Sequence, residues 1–367
     1  MKNTSKYLEW YTNFNKLKYD FRASGISFFN QDIKIGRINF SENFDQGNPL
    51  TKKIIAQRYK VETKNIYVSS DGASGQNTRV IHLLSEEKIK KEAIVEYPTY
   101  EPLLRLAQEY FPNVKRIERI KDNGYKFDIE NLRKIASKKT RVLIITNPHA
   151  PSSAILNKHE LEEIIEIAHE YNFYILCDEI YAEFNRRIIP TLFLIDPEHS
   201  IVTTSFTKAY GLGGLKLGFT IAKADFIRKL YFDTLNTIGN SSNIVQLFTT
   251  QLLSKYYSEL EKHKNKWNDL RKETEKWLEE KDLEYFPNRI GVTYWIKTNL
   301  KDTYRWTNNH TIPLYSLSVV PGAFFLIKNK KDIPISNMIR LGLGNIMPDN
   351  KRFFFESLEI LEKSLNL

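Results

Sequence analysis

Val142-Leu143-Ile144-Ile145-Thr146 and Tyr174-Ile175-Leu176-Cys177 bracket the stretch 158–171, where Leu161, Ile164, Ile165, Ile167 and Ala168 recur at helical spacing. The two runs are almost uninterrupted apolar sequence, the pattern of strands covered on both faces. The periodicity between them is that of an amphipathic helix. A strand, helix, strand unit of this kind asks for a parallel sheet held between helices. Outward from it, β-rich runs at 65–70, 92–98, 114–120, 200–206 and 217–222 join 141–147 and 173–179 to make seven strands. After residue 250 the pattern changes to a long charged helix over 253–281, β-rich segments at 291–297 and 318–326, and a terminal helix from 351. The expected fold is α/β, a large domain with a seven-stranded mainly parallel sheet between helices plus a smaller α+β domain. Residues 1–40 form an N-terminal arm and part of the small domain, 41–252 the large domain and 253–367 the small one. The arm has no place in the alternating pattern, so it packs on the small domain or reaches toward a partner subunit.

A chain of 367 residues, 41% apolar, is long enough for two cores. Its +10 formal charge, 54 basic against 44 acidic residues, is scattered through helical segments and has no stripe of cations interleaved with aromatics. That is a solvated surface rather than a nucleic-acid face. The single cysteine, Cys177, allows no internal disulfide and no cysteine-based metal cluster, so no metal site is expected and a cytoplasmic setting fits. No apolar run approaches the ~20 residues of a membrane helix, and no leader pattern opens the chain.

Ligands of open α/β sheets sit beyond the carboxyl ends of the strands. Four strand ends carry polar or glycine-rich sequence. Ser69-Ser70-Asp71-Gly72-Ala73-Ser74-Gly75 precedes an amphipathic helix; its free N–H groups suit a phosphate, or it is a plain glycine-rich turn. Cys177-Asp178-Glu179-Ile180-Tyr181 puts a carboxylate after an apolar strand, where a cation or donor must meet it unless water does. Ser205-Phe206-Thr207-Lys208 opens a loop dense in glycine through Gly218; a lysine there either approaches a flat ligand, able to form a Schiff base, or stands exposed. Tyr97-Pro98-Thr99-Tyr100 offers an aromatic ring for stacking or for the core.

Taken in order, these stretches resemble the fold-type I pyridoxal-5′-phosphate (PLP) aminotransferases, the aspartate aminotransferase-like class I/II group, from about residue 19 to residue 340. Ser205, Thr207, Lys208, Gly211, Gly214, Lys216 and Gly218 are similar to the family's S-x-[ST]-K-x-x-G-x-x-G-x-R-x-G. Asp178-Glu179-Ile180-Tyr181 looks like its D-E-x-Y, and Gly72-Ala73-Ser74, Pro98-Thr99-Tyr100, Pro321-Gly322-Ala323-Phe324 and Met338-Ile339-Arg340-Leu341 follow the family's order. The resemblance implies the PLP-transferase fold and an aminotransferase working on an α-amino acid and a 2-oxo acid as a homodimer. It implies that Lys208 holds PLP as a Schiff base and moves the Cα proton. Asp178 would pair with the pyridine nitrogen, Tyr181 with the phenolic oxygen and Tyr100 with the ring face. The N–H groups of Ala73 and Ser74, the Ser205 hydroxyl and Lys216 would hold the phosphate, Arg340 the substrate α-carboxylate, and the Gly25 backbone would touch it.

The chain departs from the pattern at three places. Asn147-Pro148-His149-Ala150-Pro151-Ser152 carries Ala150 where the family has a second asparagine, which leaves Tyr181 alone on the phenolic oxygen. Lys216 replaces an arginine, keeping the charge and losing the fork. Phe44 stands where relatives carry a tyrosine that reaches the neighbouring subunit's phosphate. No arginine lies between Arg228 and Arg271 near the serine-rich Gly239-Asn240-Ser241-Ser242, so a dicarboxylate clamp, as in an aspartate aminotransferase, would need Arg22, Arg37 or a lysine instead. His149 faces the substrate or is structural. A PLP-dependent lyase or cyclising amino-acid enzyme, and a non-catalytic PLP-binding module, are the competing readings.

Overall fold

The computed structural model describes residues 4–14, 16–34, 39, 41–286, 290–328 and 333–367. The large sheet has the spatial order Ile66–Ser69, Gly218–Ile221, Ser200–Ser205, Tyr174–Asp178, Thr140–Thr146, Glu92–Tyr97, Asn113–Ile120, Lys126–Phe127. The five strands from Ser200–Ser205 to Asn113–Ile120 run parallel, while Gly218–Ile221 is antiparallel to both neighbours. Each of the seven expected strands is present. The eighth, Lys126–Phe127, pairs antiparallel with Arg119 and Ile120. Two residues are too few to show a period, which is why the sequence does not announce it.

Alternation across the central strands explains their continuous apolarity. Val142, Ile144 and Leu176 face helices Gly72–Ser85 and Ala224–Thr237, packing against Val80, Ile81 and Leu230. Leu143, Ile145, Ile175 and Cys177 face the opposite way, against Leu161, Ile164 and Ala168 of helix Lys158–Tyr171. Burying both faces is worth about 1.5–3 kcal/mol per large side chain.

A second sheet has the order Tyr19–Phe21, Leu317–Pro321, Met338–Gly342, Thr293–Lys297, Tyr285–Phe286, and packs on helices Trp267–Glu280 and Lys351–Leu365. Tyr19–Phe21 lies parallel to Leu317–Val319. The helix expected over 253–281 is divided among Asn243–Lys255, Tyr257–Asn265 and Trp267–Glu280. Tyr256, at φ −118° and ψ 20°, makes the first break. The break lets Leu252 and Leu253 serve the first core and Trp267 and Leu270 the second.

Candidate active site

The carboxyl ends of the parallel strands open into a cavity of about 280 Å³, lined among others by Ala73, Ser74, Tyr100, Asp178, Tyr181 and Lys208. A second chamber of about 350 Å³ adjoins it, reached past Tyr100 and Lys208 and walled by Tyr7, Tyr11, Arg22 and Gly25. A larger cavity of about 770 Å³ lies elsewhere, along Arg58, Arg186 and Lys264. Three of its cations are already answered, Arg58 by Glu183, Arg186 by Glu179 and Lys264 by Glu261. Size alone therefore does not mark the site.

Lys208 sits in the short helix Thr207–Tyr210 that follows strand Ser200–Ser205. Withdrawal from water, with Arg340 and Lys216 adding repulsion, lowers its ammonium to about 8. A lysine so placed is readily deprotonated, the state in which it is a nucleophile. Gly25 is pressed against it. A Cβ at Gly25 would stand 2.5 Å from Lys208 Cδ, and Ile26 N donates to Lys208 O at 2.7 Å.

Asp178, at the end of its strand, is 5% exposed, and burial pushes its carboxyl up to about 6. Asn77 Nδ2 donates to Asp178 Oδ2 at 2.7 Å and Ile180 N to Oδ1 at 3.0 Å, while the Thr203 hydroxyl donates to Asn77 Oδ1 at 2.5 Å. Asn77 and Thr203 were not singled out from sequence. Their signal is a polar residue on the inner face of a helix and another inside an apolar strand. Burial also raises the phenols of Tyr100 and Tyr181, so both remain hydrogen-bond donors at neutral pH.

Ala73 and Ser74 lie in the first turn of helix Gly72–Ser85. Gly72 N donates to Lys216 O at 2.5 Å, and Lys216 takes the left-handed conformation, φ 53°. A Cβ on Gly218 would meet the Gly72 carbonyl at 2.3 Å, so only glycine lets the Lys216 turn lie this close to the helix start. Ser205 is fully buried behind the wall. Its Oγ accepts from Thr207 N at 3.0 Å and bonds Thr207 Oγ1 at 2.5 Å, and Thr207 lines the cavity in its place. Ser205, expected from the motif to meet the phosphate, thus stands one layer behind the lining of this cavity.

Arg340 is 2% exposed in strand Met338–Gly342, with Nη2 donating to Arg22 O at 2.8 Å and to Tyr7 Oη at 3.2 Å, and with Nε unpartnered. Tyr7 belongs to helix Lys6–Thr12, which the sequence did not reveal. The Glu101 carboxylate holds that helix start: it accepts from Ser5 Oγ at 2.9 Å, Lys6 N at 3.2 Å and Tyr7 N at 2.6 Å. Tyr7 and Leu8 thereby roof both chambers.

Arg22 is paired with Asp20 through two bonds, Nε to Oδ1 at 2.8 Å and Nη2 to Oδ2 at 2.9 Å, and lies over the Tyr11 ring. Arg37 lies outside the described residues. His149 turns away from both chambers, its ring nitrogens engaging Pro98 O and Ser152 Oγ, and burial lowers its pKa well below the usual range. Of its two sequence readings the structure selects the structural one. Ala150 lines the cavity, and half-buried Phe44 does not.

The sequence model of "Aminotransferase class I and II" matches residues 36–335. The chain belongs to this family. The aspartate aminotransferase of Pyrococcus horikoshii is 27% identical to it over 237 residues, 62% of this chain and 60% of that protein. The histidinol-phosphate aminotransferase of Methanococcus maripaludis is 24% identical over 181 residues, 49% of this chain and 47% of that one. The matches thus span between about half and three fifths of these curated relatives. A PLP-dependent aminotransferase from Streptococcus suis shares the fold, with a TM-score of 0.83 at 23% identity over all of this chain and 98% of that one.

The cofactor of a class I and II aminotransferase is PLP, and the residues fit it. An anionic, aromatic group suits a cavity with a lowered lysine, a helix start with two small residues, a facing carboxylate and a tyrosine at its rim. Among the described residues no helix is long and apolar enough to cross a membrane.

Proposed function

We propose that this chain is an aminotransferase that moves an amino group between an α-amino acid and a 2-oxo acid. The observation that carries the reading is Lys208, an amine lowered to about 8 and sharing one cavity with Asp178 and Tyr181. When bound, PLP supplies an electron sink for the carbanion left at Cα. Lys208 is the amine that would hold it, and the same Nζ, deprotonated, would serve as the base for the Cα proton. Asp178, oriented by Asn77, would keep a proton on the ring nitrogen, Tyr181 would donate to the phenolic oxygen and Tyr100 would cover the ring. The N–H groups of Ala73 and Ser74, the Thr207 hydroxyl and Lys216 would hold the phosphate, with Ser205 fixing Thr207 from behind. Arg340 grips the α-carboxylate, which takes the place of the Tyr7 hydroxyl, and Gly25 leaves room beside Lys208.

Arg22 is neutralised by Asp20, and Tyr7, Leu8, Tyr11 and Tyr100 stand together in the wall of the second chamber. We infer a large uncharged side chain in the amino donor rather than a second carboxylate. A homodimer in the cytoplasm completes the proposal. Leu50, Phe232, Ile238 and Ile244 are exposed around the turn whose Ser241 Oγ accepts from Ser70 N, beside the phosphate corner. A second copy covering this face explains why they are apolar.

The test is the visible spectrum of the PLP-loaded protein mixed with single amino acids. Loss of the lysine-bound absorbance, restored by a 2-oxo acid, is expected. Absorbance that persists in Lys208→Ala overturns the lysine assignment, and irreversible loss with release of ammonia points to a lyase.

A further inference from the structure

We propose that His169, Asp196 and His199 form a zinc site at the amino-terminal end of the large sheet, across it from Lys208. The three residues come from the last turn of helix Lys158–Tyr171, the segment after helix Leu192–Ile195, and the residue before strand Ser200–Ser205. His169 Nε2 lies 3.2 Å from Asp196 Oδ2 and His199 Nδ1 3.6 Å from the same oxygen. All three ligand atoms fall within 4.8 Å of one another. Tetrahedral zinc, with bonds of about 2.0–2.2 Å to nitrogen and oxygen, sets its ligand atoms about 3.4 Å apart, so two of the three edges are already in place. Turning the His169 ring closes the third.

The surroundings aim these atoms at a shared point. Asp196 is 7% exposed, and its carboxylate is oriented by Glu198 N at 3.0 Å and His199 N at 3.2 Å. His199 Nε2 lies 3.3 Å from Asn172 Oδ1, a bond that places the ring proton on Nε2 and leaves the Nδ1 lone pair facing the carboxylate. That Nδ1 is buried and has no hydrogen-bond partner. Two electron pairs facing each other in a shielded place call for a cation between them. Two imidazoles and a carboxylate form a borderline ligand set that suits Zn²⁺ better than Ca²⁺ or Mg²⁺. Exposed His169 leaves the outer side open to a water as fourth ligand.

The ion would tie the end of one covering helix to the entry of the strand that leads to Lys208. Six residues of strand, roughly 20 Å, separate it from the cavity, so its effect is on stability and not on the reaction. Sequence gave no hint, because the ligands are spaced 27 and 3 residues apart with no cysteine among them.

Metal-free, PLP-loaded enzyme titrated calorimetrically with Zn²⁺ is expected to bind one ion per chain and to melt at higher temperature as zinc is added. Co²⁺ in its place should give the intense visible bands of a four-coordinate ion. His169→Gln and His199→Gln should abolish both signals while transamination persists, and Asn172→Ala should weaken zinc binding about tenfold. No binding by the wild type, or unchanged binding in the two histidine variants, overturns the proposal.

Discussion

Lys208 carries a cost that the cofactor removes. Its ammonium sits at about 8 against an ordinary 10.5, so between those values the unfolded chain binds a proton that the folded apoprotein does not. Folded stability therefore rises with pH across that window, and below it the apoprotein holds a disfavoured charge. Lys208→Met should raise the melting temperature of the apoprotein by several degrees at pH 7, with the gain shrinking as pH passes from about 8 to 10.5. Equal melting of both apoproteins at every pH would refute the electrostatic reading of this lysine. Ala150 leaves the cavity short of a donor near the cofactor. Ala150→Asn should move the absorbance titration of the lysine-bound cofactor to lower pH and lower KM; a titration and KM both unchanged would sink that account. Asp20 governs whether Arg22 is free. Asp20→Asn should raise kcat/KM for aspartate relative to phenylalanine, and a ratio that does not move argues against Arg22 as a latent clamp.

Among the elements, those read correctly from sequence are the ones whose own residues carry their pattern. Buried parallel strands announce themselves as apolar runs, and helix Lys158–Tyr171 by its period. Helix Lys6–Thr12 does not, because what fixes it is Glu101, far along the chain. Strand Met338–Gly342 is fully buried, but Arg340 interrupts its apolar run, so its sequence reads as a binding motif rather than as a strand. The same distinction runs through the site. Lys208, Asp178 and Tyr181 were legible at strand ends, whereas Tyr7 and Asn77 became visible only through contacts made across the fold, and Thr207 through its place in the cavity lining. Glu101→Gln weakens the anchor of the arm helix, whose Tyr7 and Leu8 roof both chambers, and leaves Lys208, Asp178 and the phosphate corner in place. It should raise KM several-fold, measured by steady-state kinetics, while PLP affinity stays unchanged; a loss of PLP affinity would contradict that division of labour.

At the scale of the molecule, two sheets with separate cores meet beside the cavity, the larger supplying Lys208 and Asp178 to its wall and the smaller holding Arg340 near enough for its charge to act on Lys208. The proposed dimer face lies on the larger one. Phe232→Asp with Ile238→Asp should convert the dimer to a monomer in sedimentation equilibrium and weaken PLP retention; a dimer that survives both changes would place the interface elsewhere. The second chamber is built mainly from residues 7–27, of which Tyr7, Leu8 and Ser24 alone also line the cavity that holds Asp178 and Lys208. Drift in that arm can therefore retune which amino acid is accepted while inheritance of the cofactor chemistry stays intact, so lineages that differ chiefly in their first thirty residues should differ in diet before they differ in reaction.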